Sequence, residues 1–321
     1  MKKMKNKISF FLILIVFYGG CKVQERESLT EGKVTVIVSE DLHKLFEKQV
    51  QEFEKTYQKA KVTLYSTTDR EAIVHLLNDS VKVIATTRNL NDEEKNIIKK
   101  YDLKVDTFVV AFDGIAVITN KRNSIQKLSV EQLKKIVSGK FQRWNEVAQK
   151  IERKSLSSSI IIASENPNSS IYEYLKTEFV PKSEKDGKID SPMQICSTAT
   201  QVISYVSENS NAIGFIGMSW LKELPKNISA LEIGDSLFTA DSTKKVLEHY
   251  YPYQAYVHEK IYPLRRTIYM FSKGAGTGVG SGFITFVNSS QGQKIFLNEG
   301  LVPATVPVRI VQLKSQSLQK E

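Results

Sequence analysis

From Gly32 onwards the sequence alternates short apolar runs with amphipathic segments, and this alternation restricts the fold more than any other feature. Val34–Val38, Val62–Tyr65 and Val81–Ala85 have the length and apolar character of buried strands. A segment with apolar residues at helical spacing follows each run, as in residues 42–53. Alternating strands and helices predict an α/β protein with a largely parallel sheet covered by helices.

Polar loops follow the predicted strands at their carboxyl ends, which is where parallel α/β sheets bind ligands. The loop residues are of the types that cap helices, and a capped helix start also offers free N–H groups to an anion. In the first half of the chain these residues are Ser39, Glu40, Asp41, Ser66, Thr67, Thr86, Thr87 and Arg88. After the apolar run Ile160–Ala163 they are Asn168, Ser169 and Ser170. The repetition of such loops predicts an anion site, whereas ordinary helix capping explains any one of them alone.

Arg88 is the predicted cationic clamp of this site. A guanidinium group matches two phosphate oxygens at once, and Arg88 follows the end of a predicted strand. The alternative is a surface arginine that precedes a helix.

The first 20 residues have the pattern of an export signal. Four lysines and the apolar run Ile8–Tyr18 come first, and the run is too short to span a bilayer as a helix. Gly19, Gly20 and Cys21 follow, and this arrangement resembles a bacterial lipoprotein signal, except that an aliphatic residue is usual at position 18. The resemblance implies that Cys21 is lipidated; an ordinary cleaved secretory signal is the alternative. Residues 22–31 are polar, so we expect residues 21–31 to form a tether.

The net charge and the cysteine content limit which classes of protein fit this sequence. The net charge of +10 falls to +6 when residues 1–20, with four lysines and no acid, are removed. The basic residues are scattered, so we expect a solvated surface and no nucleic-acid partner. Cys21 and Cys196 are the only cysteines, so a lipidated Cys21 leaves no internal disulfide. The length favours two domains.

The sequence has no recognisable catalytic or metal-binding motif. It contains neither G-x-S-x-G nor H-E-x-x-H, and its four histidines are dispersed at positions 43, 75, 249 and 258. We therefore expect a protein without enzymatic activity, cofactor or metal.

Several segments resemble those of one known family, and they occur in that family's order. They are residues 137–145 (VSGKFQRWN), 212–217 (AIGFIG), 262–266 (YPLRR), and 282–287 (GFITFV) with 291–294 (QGQK). The chain resembles, over about residues 34–312, the phosphate-binding component of bacterial phosphate ABC transporters. The resemblance implies a monomeric protein of the cell envelope that binds phosphate, or a similar tetrahedral oxyanion, and delivers it to an ABC transporter permease.

The same resemblance implies two lobes of the type II periplasmic-binding-protein kind, joined by a hinge that the chain crosses twice. The crossings are expected near Thr119 and Tyr262. Lobe one would then comprise residues 32–118 and 262–313, lobe two residues 119–261, and residues 314–321 a C-terminal tail.

The resemblance also identifies departures at the ligand loops. The family's third loop usually ends in Ser-Asp, but here Thr87 and Arg88 stand there. The family's lobe-two loop usually reads Arg-x-x-x-Ser-Gly-Thr, and here it begins with Glu165. A carboxylate that accepts the proton of phosphate would have to come from elsewhere. Glu40 and Asp41 are the predicted acceptors, ahead of Asp69, which could simply cap its helix.

Other functions stay open at this point. The chain could bind another small anion, hydrolyse phosphoesters in the envelope, or be a structural or sensory lipoprotein that keeps the fold without transport. A catalytic carboxylate pair or a metal cluster would favour the hydrolase.

Overall fold

The structure, a computed structural model of the 321-residue chain, describes residues 28–147, 158–180, 189, 191–238, 245–274, 276 and 278–305. The predicted signal peptide (1–20), the lipidation site Cys21 and most of the tether lie outside these ranges, as do residues 306–313 of the predicted lobe one and the tail 314–321. No helix in the described ranges has the length and apolar character needed to cross a membrane.

The elements alternate between strands and helices, as the sequence pattern predicts. In chain order, the strands are β1 (Gly32–Ser39), β2 (Ala60–Thr67), β3 (Val83–Thr86), β4 (Val105–Asn120), β5 (Lys127–Ser129), β6 (Ile161–Glu165), β7 (Met193–Cys196), β8 (Ala212–Gly217), β9 (Ile228–Ala230), β10 (Glu232–Phe238), β11 (Lys245–Tyr250), β12 (Arg265–Lys273) and β13 (Val302–Pro303). The α-helices are α1 (His43–Thr56), α2 (Asp69–Leu77), α3 (Asp92–Lys100), α4 (Val130–Val137), α5 (Trp144–Val147), α6 (Ser170–Phe179), α7 (Ala199–Glu208), α8 (Gln254–His258), α9 (Val279–Asn288) and α10 (Ser290–Asn298). Short 3₁₀ helices cover Glu40–Leu42 and Met218–Glu223.

The main sheet has the strand order β2-β1-β3-β12-β4-β8-β6-β7, with β9 and β13 pairing with β4 in addition. Strands β1, β2 and β3 are parallel to each other, and so are β6, β7 and β8. The central strands β12 and β4 are antiparallel to their neighbours. The predicted α/β class is confirmed, with two parallel halves joined by antiparallel strands.

Strand β4 connects the two halves of the molecule. The sequence pattern predicts two strands, Phe108–Ala111 and Ile115–Thr119, but the structure has one continuous strand. It pairs with β12 as far as Gly114 and with β8 from Ile115 onwards. The chain therefore passes from one lobe to the other within a strand, and it returns just before β12.

The crossing is tightly packed. The hydroxyl of Tyr262, which is fully buried, donates to the carbonyl oxygen of Ile115 at 2.8 Å. A Cβ atom at Gly114 would lie 3.1 Å from Val257 and 3.3 Å from the sulfur of Met218. Glycine at this position lets the return segment pack directly on β4.

Each lobe has its own core. In lobe one, Phe283 of α9 lies edge-to-face with Phe46 and Phe53 of α1, at centroid distances of 6.5 and 5.3 Å. In lobe two, Trp144 is fully buried, and its indole N–H donates to the carbonyl oxygen of Asn211 at 2.9 Å. Both cores contain segments that carry the family resemblance.

One helix that the sequence predicts is divided into two helices in the structure. The pattern over residues 282–297 predicts a single helix, but the structure has α9 and α10, separated at Ser289. Ser289 is extended (φ −73°, ψ 167°), and its Oγ accepts from the N–H of Gly292 to cap α10. Apolar spacing does not detect a cap of this kind inside a helical run.

Candidate functional site

A cavity of ≈ 260 Å³ lies between the two lobes. Lobe one lines it with Asp69, Thr87, Arg88 and Arg266. Lobe two lines it with residues of α6, among them Ser170, Glu173 and Tyr174. Pockets for drug-sized molecules usually measure about 300–1,000 Å³, so this one suits a small solute.

Arg266 on β12 is the buried cation of this cavity. Its side chain is 4% exposed. Its Nε and Nη2 donate to Asp113 Oδ2 at 2.9 and 2.7 Å, and Nη2 lies 2.5 Å from Asp41 Oδ2. Burial disfavours its charge, but the two carboxylates hold its pKa above the ordinary value, so Arg266 remains charged.

Arg266 also reaches across to lobe two. Its Nη1 donates to the hydroxyl of Ser170, the first residue of α6, at 3.1 Å. The guanidinium thus meets the N-terminus of a helix, where the partial charge is positive. An anion at this point would contact two sources of positive charge, one from each lobe.

The pairing of β12 with β4 explains why Arg266 contacts Asp113. The two residues are direct cross-strand partners on β12 and β4. The N–H of Met218 donates to Asp113 Oδ1 at 3.2 Å and fixes the carboxylate. A Cβ atom at Gly217 would lie 3.0 Å from Arg266 Nη2 and 3.2 Å from Asp113 Oδ2, so glycine leaves room for the pair.

Asp69, the first residue of α2, is 1% exposed. It accepts from the hydroxyl of Ser39 and, at 3.1 and 2.8 Å, from the N–H and hydroxyl of Thr87. Burial and the charge of Asp41 raise the pKa of Asp69 to about 6, although these hydrogen bonds favour the ionised form.

The helix cap of α2 is Thr68, whose side chain accepts from the N–H of Glu71 at 3.2 Å. From the sequence, Asp69 ranks below Glu40 and Asp41 as the predicted proton acceptor, because Asp69 could be the cap of α2. That reason is wrong: the cap is Thr68, and a Thr-Asp pair in the sequence does not tell which residue is the cap.

Arg88 has carboxylate partners on both lobes. Its Nη1 and Nη2 donate to the two oxygens of Glu94 at 2.9 and 2.8 Å. Its Nε donates to Glu173 Oε2 of α6 at 3.1 Å. The anion-clamp role of Arg88 stays a prediction, and in this structure the side chain joins the lobes by an ion pair.

Glu165 ends β6 and is 3% exposed. Burial, then the charges of Asp41 and Glu40, raise the pKa of Glu165 to about 8, while Arg266 and the N–H of Ala199 act against this shift. Glu40 is half-buried, and burial followed by the charge of Asp41 also raises its pKa. The side chain of Asn166 hydrogen-bonds to Glu40 from the opposite lobe.

At the start of α6, Ser169 is the N-cap and its Oγ accepts from the N–H of Tyr172 at 3.2 Å. Asn168 is exposed, and its N–H donates to the side chain of Asn166 at 3.0 Å. The structure thus brings Ser169 and Ser170 to the lobe boundary but leaves the Asn168 side chain in solvent.

The remaining predicted residues fall into two groups. Ser39, Asp41 and Thr87 lie in the buried network around Asp69 and Arg266. The others lie outside the residues that line the cavity: Ser66 is exposed on the edge strand β2, Thr67 donates to Glu71, and Thr86 donates to the carbonyl oxygen of Arg88 at 2.8 Å.

Sequence reasoning missed three site residues. Arg266 is the last residue of the YPLRR segment, so its signal was present but read only as family resemblance. Asp113 is the one acid in the apolar stretch 108–119 of β4, which is a mark of a buried charge pair. Glu165 was noted only as a departure from the family's arginine.

Among the described residues, no group of histidine, cysteine, aspartate and glutamate side chains could hold a metal ion. The site is therefore built from hydrogen-bond donors, one buried guanidinium and several carboxyl groups.

Comparison with known proteins identifies relatives over most of the chain. A family model described as the PBP superfamily domain matches residues 23–291. The phosphate-binding protein PstS of Staphylococcus saprophyticus is 23% identical over 259 residues, which cover 80% of this chain and 75% of that protein.

Solved structures show the same fold. The ABC-type phosphate transport receptor from Vibrio cholerae superposes with a TM-score of 0.66 at 18% identity, over 85% of this chain and 100% of the other. The phosphate-binding protein from Stenotrophomonas maltophilia gives a TM-score of 0.61 at 12% identity, over 85% and 91%. At these identities the likeness shows the two-lobed fold alone.

Proposed function

The chain belongs to the PBP superfamily, and on that premise we propose that it captures phosphate, or a similar tetrahedral oxyanion, reversibly between its two lobes. It then presents the anion to the permease of an ABC transporter. Relatives named for phosphate binding or phosphate transport match it over most of its length.

One observation carries this proposal. Arg266 is a buried cation that lines a small cavity between the lobes and touches the first residue of α6. A guanidinium and a helix N-terminus are both groups that bind phosphate oxygens. Closing the lobes would bring both onto one anion.

Selectivity for phosphate would come from a carboxylate that accepts its proton. Glu40 and Asp41 remain candidates, but Asp69 is the one of the three that lines the cavity. An ionised carboxylate there would accept from protonated phosphate and repel sulfate, which has no proton near neutral pH. We therefore assign the acceptor role to Asp69.

Calorimetry of the purified lipid-free protein tests the function. Phosphate and arsenate should bind with a one-to-one stoichiometry, and sulfate should bind more weakly by at least about 100-fold, the scale of an unpaired buried polar group. Equal affinity for sulfate would widen the ligand class to oxyanions in general. Absence of heat with all three anions would overturn the function.

We also propose that the protein is a monomeric lipoprotein of the cell envelope, held by lipid on Cys21 after removal of residues 1–20. Cys21→Ser should shift it from the membrane fraction to the soluble fraction, because thioether-linked lipid chains provide the anchor. Unchanged membrane fractionation of the variant would contradict the lipid anchor.

We propose no covalent chemistry for this site. The relatives are named as a phosphate-binding protein and a phosphate transport receptor, and the described residues include no metal cluster that a phosphoester hydrolase could use. Incubation with a phosphoester substrate should therefore release no phosphate above the buffer control.

A further inference from the structure

Glu165 belongs to lobe two, but its charged surroundings come from lobe one. The groups that act on its carboxyl are Glu40 and Asp41 after β1 and Arg266 on β12. The side chain is 3% exposed. Contact between the lobes therefore creates the environment of this group.

One oxygen of Glu165 is left without a partner. The N–H of Ala199, at the start of α7, hydrogen-bonds to the carboxyl. Oε2 is buried and has no hydrogen-bond partner among residues that the structure describes. Cys196, the partner of Glu165 on β7, has a thiol whose pKa is raised by burial and by Glu165, so this neighbour does not supply a charge.

The charges around the cavity are unfavourable for an anion if every acid is ionised. Asp69, Glu173 and Glu178 line the cavity together with Arg266. Asp41 and Asp113 pair with Arg266, and the charges of Asp41, Glu40 and Arg266 act on Glu165. Arg266 is the one buried cation among the described residues, and Arg88 is already paired with Glu94 and Glu173. Removing negative charge from this group of acids would therefore favour the capture of an anion.

We propose that Glu165 takes up a proton when the lobes close on the anion, so that capture of one oxyanion is coupled to the uptake of one proton. This inference rests on the proposed anion-binding function. The neutral carboxyl removes a negative charge from the site, and its O–H offers a donor at Oε2. When the lobes part, water stabilises the carboxylate again and the proton leaves with the anion.

The raised pKa of Glu165 in the closed molecule, about 8, agrees with this scheme. An exposed glutamate has a pKa of about 4.3, so near neutral pH the group is ionised when open and protonated when closed. Asp69, with a pKa of about 6 within lobe one, stays largely ionised under these conditions.

The test is calorimetry with phosphate near neutral pH in two buffers that differ in their heat of ionisation. Wild type should take up close to one more proton per bound phosphate than Glu165→Gln, because the ligand's own titration is the same in both. Cys196→Ala is the control for the neighbouring thiol and should match wild type. As pH rises above about 8, the dissociation constant of wild type should rise relative to Glu165→Gln by up to about tenfold per pH unit.

An infrared difference spectrum of wild type, with and without phosphate, gives a second readout that needs no variant. It should show the C=O band of a newly protonated carboxyl group. Phosphate binding with equal proton uptake in wild type and Glu165→Gln, or without this band, would overturn the inference while leaving anion binding intact. No binding by wild type at any pH would overturn the proposed function as well.

Discussion

Arg266 is held by carboxylates on two sides, Asp113 on the neighbouring strand and Asp41 after β1. Removing its charge would leave both acids buried without a counterion, which typically costs about 3–5 kcal/mol. A lysine keeps the charge but lacks the fork that holds Asp113 and Ser170 at once. The informative substitution at this position is therefore the conservative one.

Arg266→Lys should weaken phosphate binding by about 10- to 100-fold, the scale of one or two lost charge-assisted hydrogen bonds. Arg265→Lys is the matched control, because Arg265 is half-buried and its guanidinium lies over the ring of Phe112 at 5.9 Å. Calorimetry should show unchanged affinity for the control. Equal affinity for both variants would place the anion elsewhere.

Asp69 gives a prediction about pH. The pKa of Asp69 in the folded protein, about 6, lies above the ordinary value of 3.8. Between these two pH values the folded state therefore binds more protons than the unfolded state. The stability that protonated Asp69 contributes is present at low pH and is lost as pH rises from about 4 to about 6. The melting temperature of ligand-free protein should therefore fall over this range.

Asp69→Asn should make that fall smaller, because the variant has no carboxyl group at this position to titrate. The measurement is the slope of the melting temperature against pH. The melting temperature itself is less informative, because it also changes when Asn replaces an acceptor of three hydrogen bonds. The same slope in wild type and variant would show that Asp69 titrates at its ordinary pKa.

At the scale of single residues, the sequence was informative about local chemistry and uninformative about long-range partners. Ser39 and Thr87 were selected for their positions after strands, and both are in the buried network. The same rule also selected Ser66, which the edge position of β2 leaves exposed. A residue's place at a strand end does not tell which neighbouring strand will cover it.

At the scale of elements, α6 presents its N-terminus to the cavity from lobe two. Ser169 caps it by accepting from Tyr172, in the same way that Ser129 caps α4 by accepting from Gln132. The two caps differ in their position relative to the cavity: α6 lines it and α4 does not.

Ser169→Ala and Ser129→Ala should each lower stability by about 1 kcal/mol, the usual cost of a lost N-cap. Only Ser169→Ala should also weaken phosphate binding, by a few fold, because a frayed first turn no longer orients its N–H groups. Thermal unfolding and calorimetry of both variants make the comparison. Equal effects on binding would remove α6 from the site.

The sequence predicts elements best where apolar spacing and capping chemistry agree. Asn91 and Asp92 precede apolar residues at Ile97 and Ile98 and so predict a helix start, and α3 begins with a full capping box at Asn91. The sequence was less informative about strands whose bounds depend on pairing with other strands. The continuity of β4 depends on two different partner strands, β12 and β8, and no local pattern records that. Residues 221–260 gave no clear pattern, and their short strands β9, β10 and β11 are defined by pairing.

At the scale of the whole molecule, ion pairs between the lobes accompany closure. Arg88 of lobe one pairs with Glu173 of α6, and Lys44 of α1 pairs with Glu223 at the end of the second 3₁₀ helix. These contacts join residues of the two lobes, so they favour the closed form.

Glu173→Gln should weaken phosphate binding by up to about fivefold, the scale of a partly exposed ion pair. Glu232→Gln is the control, since Glu232 pairs with Lys127 at 2.8 Å within lobe two. Calorimetry should show no change in affinity for the control. If both variants bind like wild type, the Arg88–Glu173 pair does not contribute to closure.

Closure on an anion can be observed directly by small-angle X-ray scattering of the lipid-free wild-type protein. Saturating phosphate should reduce the radius of gyration, because the two lobes come together around the cavity between Arg266 and α6. Chloride at matched ionic strength should leave the scattering curve unchanged. An identical curve with and without phosphate, at a concentration that calorimetry shows to be saturating, would contradict capture of the anion by closure of the two lobes.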